Sequence, residues 1–126
     1  MIDTDVLIWY FRGNDGARKF LQAIPYQDRT TSSLCLMELI QGCQDRQEMR
    51  AINDFFSGNI SLTIHPSEKI SDKAIFLLER HALADGLRTV DALIAASALQ
   101  HGYSLATANV KHFKKIPDLS ILRFEP

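Results

Sequence analysis

Cysteine is scarce in this sequence: there are two, Cys35 and Cys43. If their segment is helical, they stand about 12 Å apart along its axis at ~1.5 Å of rise per residue, too far for a disulfide. Two reduced thiols fit a reducing, cytoplasmic setting. No apolar run approaches the length that crosses a bilayer. Asp3 and Asp5 interrupt the first apolar stretch before it can read as a signal peptide. No membrane partner is therefore expected. Charge of one sign is also lacking: the formal net charge is −1. A nucleic-acid binder usually carries a basic excess, so any such contact here must come from local patches. There is no Gly-rich phosphate loop, no H-E-x-x-H pair and no C-x-x-C pair. His65, His81, His101 and His112 are scattered, and each reads as surface or hydrogen-bonded structure.

What is present suffices for one ordinary domain over residues 1–126, since 46% of its 126 residues are hydrophobic and 23% charged. Met1-Ile2 reads as the stub of a strand, too short for a first strand and consistent with a start that has lost a few residues. Val6–Phe11 reads as a short helix, and Gly13-Asn14-Asp15-Gly16 as a turn. Ala17, Phe20, Leu21 and Ile24 keep helical spacing up to Pro25. Arg29–Thr31 is a strand candidate, Leu34–Gly42 a helix, and Met49, Ile52, Phe55 and Phe56 a helix ended by Gly58. Ile60, Leu62 and Ile64 alternate as in a strand. Ser67 caps a helix carrying Ile70, Ala74, Leu77 and Leu78, and Thr89 caps one running through Asp91–Leu99. That last helix is apolar nearly all round, so it should be buried. Ser104–Ala106 and Ile121–Arg123 complete the strands. Short strands alternating with helices predict an α/β three-layer sandwich, with a short, mainly parallel central sheet flanked by helices. Functional sites in such folds form beyond the carboxyl ends of the strands.

Most acids need no special explanation; Asp28, Asp45, Glu48, Asp72 and Glu79 lie on polar faces or turns. Four polar residues resist that reading. Asp3 sits at the end of the strand stub, where a helix cap is the plainer role. Glu38 stands in Leu34-Cys35-Leu36-Met37-Glu38-Leu39-Ile40, with no polar face around it. A lone buried carboxylate is costly, so Glu38 calls for a partner, either a lysine or arginine or a metal ion. Asp91 lies in the first turn of the apolar helix, which the helix dipole also favours. Asn109 follows Leu105-Ala106-Thr107 and can serve as a helix cap. Three carboxylates and an amide at such places can also converge on one pocket, whose hard oxygen donors select Mg²⁺ or Mn²⁺ rather than zinc.

The same residues carry a family resemblance. Ile2-Asp3-Thr4-Asp5-Val6-Leu7-Ile8 resembles the opening motif of PIN-domain nucleases. Ser32 followed by Glu38-Leu39-Ile40-Gln41-Gly42 resembles their second motif, and Asp91-Ala92-Leu93-Ile94-Ala95-Ala96 their third. Thr107-Ala108-Asn109-Val110-Lys111-His112-Phe113 with Ile116-Pro117 resembles the fourth, as found in VapC-type toxins. The motifs occur in order and span nearly the whole chain. The resemblance implies a metal-dependent RNA endonuclease with Asp3, Glu38 and Asp91 as its acidic ligand set. It also implies a homodimer and a small antitoxin protein whose C-terminal segment covers the active site. Three positions depart from the pattern. Asp5 stands where many relatives carry asparagine, Asn109 where many carry a fourth acid, and Cys35 where a hydroxyl residue is common.

Phosphodiester hydrolysis needs an activated water and a stabilised leaving oxygen, which a carboxylate-bound ion supplies. Thr107 can orient the attacking water or a ligand, or simply close a strand-end hydrogen bond. Arg12, Arg88, Lys111, Lys114 and Lys115 are candidate phosphate contacts. If Asp3, Glu38 and Asp91 cluster, one should hold a proton in the metal-free protein, and apolar-flanked Glu38 is the expected one. Trp9, Tyr10, Phe11, Phe55 and Phe56 exceed what a small monomer is expected to bury, which favours a homodimer that also binds an antitoxin. Two other readings use the same acids. Asp3-Thr4-Asp5 partly resembles the nucleophile motif of haloacid-dehalogenase-type phosphatases, although Glu38 then has no role. A non-catalytic, Mg²⁺-binding interaction module is the other.

Overall fold

The computed structural model describes residues 1–126. Its centre is a parallel sheet reduced almost to its minimum. Strand β1 (Thr30–Ser32) pairs with β2 (Leu62–Ile64), and β3 (Leu105–Thr107) with β4 (Ile121–Arg123), both parallel. Between the two pairs lies Ile2, bridged in parallel to Thr31 on one side and Ala106 on the other. The order is therefore β2–β1–Ile2–β3–β4. Ile2 N–H donates to the Thr30 carbonyl at 2.7 Å, and Ala106 N–H to the Met1 carbonyl at 2.8 Å. The strand stub expected at Met1-Ile2 is thus the middle position of the sheet.

Helices cover both faces. On one face, α5 (Glu68–Asp85) and α6 (Thr89–His101) pack together over a cluster that includes Ile70, Leu77, Ile94 and Phe113. On the other, α1 (Thr4–Phe11), α2 (Asp15–Ala23) and α4 (Arg46–Asn59) bury Val6, Leu7, Leu21, Ile52, Phe55 and Phe56. Helix α3 (Ser33–Gln41) lies at the carboxyl end of β1 and serves both clusters, Cys35 in the first and Leu39 in the second. These are the layers the sequence predicts. Strands β1 and β3 are buried throughout, as central strands of a covered parallel sheet must be. The expected burial of α6 holds: Ala92, Ile94, Ala95, Ala96, Ser97 and Ala98 are all buried. Its run of small side chains lets α5 approach closely, and its end is turned by Gly102 at a φ of 67°.

Several boundaries differ from expectation, each for a local reason. Helix α1 begins at Thr4 because Asp3, not a later residue, is its N-cap. Thr89 is inside α6 rather than its cap; Arg88 holds the cap position and gives no side-chain hydrogen bond. Gly58 does not end α4, which runs to Asn59 because no positive φ is imposed there. Ser67 caps α5 as expected, accepting from Ile70 N–H at 3.2 Å. Of the alternating Ile60, Leu62 and Ile64, only the last two lie in β2, and Leu62 is exposed because β2 is an edge strand.

Candidate active site

The strand ends deliver polar side chains to one edge of the sheet. Asp3 follows Ile2 directly, and Thr107 ends β3, the neighbouring strand. Both are buried, Asp3 5% exposed and Thr107 fully enclosed. Asp3 Oδ1 accepts from Thr4 N–H at 2.8 Å, and Asp3 Oδ2 accepts from the Thr107 hydroxyl at 2.8 Å. The same hydroxyl lies 3.2 Å from Asp5 Oδ2. One proton therefore serves two carboxylates. Asp5 Oδ2 also accepts from Ala108 N–H at 2.8 Å and Asn109 N–H at 3.1 Å, pinning the turn after β3 to the start of α1. Its donors come from the start of α1, the end of β3 and the turn that follows it.

Glu38 reaches the same place from α3: its Oε1 accepts from the Thr4 hydroxyl at 2.8 Å. Thr4 thus links the two acids, its N–H on Asp3 and its hydroxyl on Glu38. Glu38 is exposed, which corrects the expectation of a buried carboxylate. Helix α3 buries Cys35 and Leu39 toward the two cores, and its third side, with Met37, Glu38 and Gln41, is open to solvent. Apolar neighbours in sequence did not mean an apolar environment. Of the two partners considered for it, the lysine or arginine is absent. Asp3, Asp5 and Glu38 have no Lys, Arg or His within ion-pair distance.

Asp91 projects from the first turn of α6 and keeps a half-exposed side chain. Its Oδ2 lies 3.3 Å from His112 Nδ1, on α7 (Val110–Phe113). Sequence reasoning read His112 as surface or hydrogen-bonded structure and gave it no place beside Asp91; its position inside the fourth motif was the available signal. Asn109 occupies the N-cap position of α7 without a side-chain capping bond, so the cap explanation does not hold. Its backbone N–H, rather than its amide, contacts the site, on Asp5 Oδ2 and on the Thr107 hydroxyl at 3.0 Å.

Electrostatics separate these acids. Burial, and next the charge of Asp5, push the Asp3 carboxyl from 3.8 up to about 7; hydrogen bonds from Thr107 and Thr4 oppose the rise, and Asp91 adds to it. Burial therefore favours the protonated form at Asp3, the acid withdrawn from water; Glu38, expected from its apolar flanks to take that part, is exposed. Burial pushes the Cys35 thiol up to about 11, so it is a protonated core group.

No three His, Cys, Asp or Glu side chains are drawn close enough to form a finished metal cage. The donor chemistry nonetheless fits a hard cation. All candidate donors are oxygens, the pair Asp3 and Asp5 shares one hydroxyl, and Asp5 Oδ1 is buried with no hydrogen-bond partner. The flanking cations are exposed. Arg12, stacked 5.7 Å from the Trp9 ring, lines a groove of about 470 Å³ together with Glu38, Cys43 and Glu48. Lys115 is tied to Asp85 at 3.3 Å, while Arg88, Lys111 and Lys114 have no acidic partner.

The aromatic residues divide differently from expectation. Phe55 and Phe56 are buried within the monomer, Phe55 against Tyr10 at 4.6 Å and Phe11 at 5.3 Å between ring centres. Trp9, Tyr10 and Phe11 are half-buried. The exposed large apolar side chains lie elsewhere, with Ile75, Phe76 and Leu83 together on α5. No helix is long and apolar enough to cross a membrane.

The sequence model of the PIN domain family matches residues 1–119. The chain is 31% identical to ribonuclease VapC19 of Mycobacterium tuberculosis, over 94% of this chain and 95% of that protein. It is 29% identical to ribonuclease VapC1 of Rickettsia felis, over 97% and 93%. In structure it is similar to a chain of a toxin–antitoxin complex from Klebsiella pneumoniae, with a TM-score of 0.81 at 28% identity over 99% of this chain and 98% of that one. A chain of VapBC-1 from nontypeable Haemophilus influenzae gives 0.78 at 28% identity, over 98% and 96%.

Proposed function

This chain belongs to the PIN-domain family, and from that premise we propose that it is an endoribonuclease of the VapC type, a toxin that a cognate antitoxin neutralises. PIN-domain VapC nucleases depend on a divalent metal; Mg²⁺ is the proposed ion here, with Mn²⁺ able to substitute. The proposal covers residues 1–126 as one nuclease domain acting in the cytoplasm. One observation carries it. Acids from separate segments meet at the carboxyl edge of the sheet, with Asp3 joined through Thr4 to Glu38 and through Thr107 to Asp5, and no protein cation balances them.

The proposed ligands are Asp3, Glu38 and Asp91. A bound divalent ion supplies acidity to a water and neutralises charge on the phosphate undergoing hydrolysis. The chain's own groups do the rest. The Thr107 hydroxyl holds Asp3 in orientation, and Thr4 holds Glu38 at the rim. Asp5 fixes the turn that carries Asn109, so that Thr107 and Asn109 line the same edge. Arg12, Arg88, Lys111 and Lys114 supply phosphate contacts, the local patches that a net charge of −1 demands.

The Klebsiella pneumoniae neighbour is a toxin–antitoxin complex, which supports a protein antitoxin as partner. The exposed Ile75, Phe76 and Leu83 of α5 support a homodimer. The test is cleavage of labelled RNA with Mg²⁺, with Mn²⁺ and with chelator. The expected result is cutting by the parent only with metal, lost in Asp3→Asn, Glu38→Gln and Asp91→Asn and kept in Asp28→Asn and Asp72→Asn. Cutting that survives in chelator, or full activity in Glu38→Gln, contradicts the reading. A parent that binds the ion but cuts no RNA favours the non-catalytic module.

A further inference from the structure

We propose that the groove between α1, α3 and α4 is a base-reading subsite, and that an unpaired, amino-bearing RNA base next to the bond being cut seats in it. The inference rests on the ribonuclease reading and deepens it. The groove holds about 470 Å³, within the usual range of small-ligand clefts. Its floor is apolar, with Leu39 and Ile52 buried beneath it, and its rim carries Arg12, Glu38, Gln44 and Glu48. A nucleobase matches that division, because its flat faces pack on side chains while its edge hydrogen-bonds. A cleft of this volume takes one base and its ribose rather than a length of helix.

Position, charge and order each favour a base there. Glu38 is both a residue of the active edge and a wall of the groove, so whatever fills the groove lies beside the reacting phosphate. The rim has two acids to one arginine, and neither Glu38 nor Glu48 is in an ion pair. A phosphate is repelled there, whereas a neutral base is not. Phosphates find Lys111 and Lys114 instead, which have no acidic partner and stand on the α7 side of the sheet edge. Two rim side chains are also held in advance. Glu48 Oε2 accepts from Gln44 N–H at 2.8 Å, and the Arg12 guanidinium lies 5.7 Å from the Trp9 ring. Groups already ordered lose less entropy when a ligand arrives. A carboxylate accepts and cannot donate. The rim therefore favours adenine, cytosine or guanine, whose amino groups donate, over uracil, which presents carbonyl oxygens.

The experiment maps cleavage sites on a random-sequence single-stranded RNA for the parent, Glu48→Gln and Ala51→Phe. Glu48→Gln keeps an oxygen for the Gln44 N–H and adds an amide donor. Ala51 is exposed on α4 and lines the groove, so a phenylalanine there fills it. The parent is expected to favour an amino-bearing base at one fixed position beside the cut by about tenfold, as a well-made base contact does. Glu48→Gln should shift that preference toward uracil, and Ala51→Phe should erase it. No preference in the parent, a preference for uracil, or one left unchanged by Glu48→Gln overturns the inference. So does an Ala51→Phe protein that keeps the parent's cleavage sites but escapes its antitoxin, since the groove is then the protein partner's. If the parent cuts no RNA, the ribonuclease reading falls separately, and the emission of Trp9, the only tryptophan, decides the groove. Titration with adenosine, cytidine and guanosine should quench it in the parent and not in Ala51→Phe, with uridine weaker; no quenching overturns the inference.

Discussion

The floor and the rim of this site are built by different physics. Asp3, Asp5 and Thr107 form the floor, where hydrogen bonds from sheet-end and helix-start backbone fix them and Asp3 is 5% exposed. Glu38, which is exposed, and Asp91, whose side chain is 29% exposed, form the rim, each with a single polar contact, to Thr4 and to His112. The floor stores the electrostatic cost of the site because its charge is withdrawn from water. The rim supplies charge that solvent screens. Substitutions at the floor should therefore change the metal-free protein most, whereas those at the rim should show only once metal or RNA is present.

The largest expected effect is on activity. Asp3→Asn should lower RNA cleavage at saturating Mg²⁺ by at least about 100-fold, beyond what outer partners of metal ligands contribute. Initial rates on labelled RNA give the measurement. A loss as large in Glu38→Gln but small in Asp3→Asn would invert the comparison.

The pH dependence of stability comes next. Asp3 has its folded pKa raised from 3.8 to about 7, so its neutral form favours the fold. The unfolded chain releases this proton near 3.8 and the folded chain near 7. Stability is therefore fully present below about pH 4 and falls as pH rises through about 7, by about 4 kcal/mol in chelator. Asp3→Asn should remove that dependence and melt above the parent at pH 8. Denaturant titrations in chelator across pH 4–8 test this, and equal pH profiles for the two proteins would place the floor's cost elsewhere.

Much of this organisation was legible in the sequence, because periodicity and motif order are properties of short segments. Met1-Ile2 as a strand stub, the buried α6 and the acids at element ends all follow from spacing. What was not legible depends on how segments meet. Glu38 has apolar neighbours in sequence, yet α3 turns it to solvent because the helix feeds two cores from its other faces. Protonation is favoured at Asp3 because burial is a property of the assembled floor. His112 reaches Asp91 only after α7 folds against α6. Phe55 finds Tyr10 and Phe11 across α1 and α4, which no local pattern announces.

Smaller effects sharpen the contrast. Asn109→Asp adds an acid beside the turn that Asp5 already holds. It should lower the melting temperature in chelator and enlarge the upward shift on adding Mn²⁺, through ligand linkage. An unchanged shift would mean that residue 109 stands outside the field of the site. The smallest effect belongs to the rim. Glu38→Gln should change stability in chelator by less than about 0.5 kcal/mol, as befits a solvent-screened charge, while reducing the metal-induced shift. His112→Asn should likewise leave stability in chelator nearly unchanged. A stabilisation of Glu38→Gln in chelator as large as that of Asp3→Asn would erase the distinction between floor and rim.

The account's central claim is that floor and rim close on one cation. Crystals of the protein soaked in Mn²⁺ and measured for anomalous scattering test it most directly. The predicted result is one strong peak with oxygens of Asp3, Glu38 and Asp91 at about 2.2 Å, near the ordinary distance for small divalent ions on oxygen. A peak that leaves Glu38 on Thr4 and out of reach of the ion, or no peak at this edge of the sheet, would contradict the account.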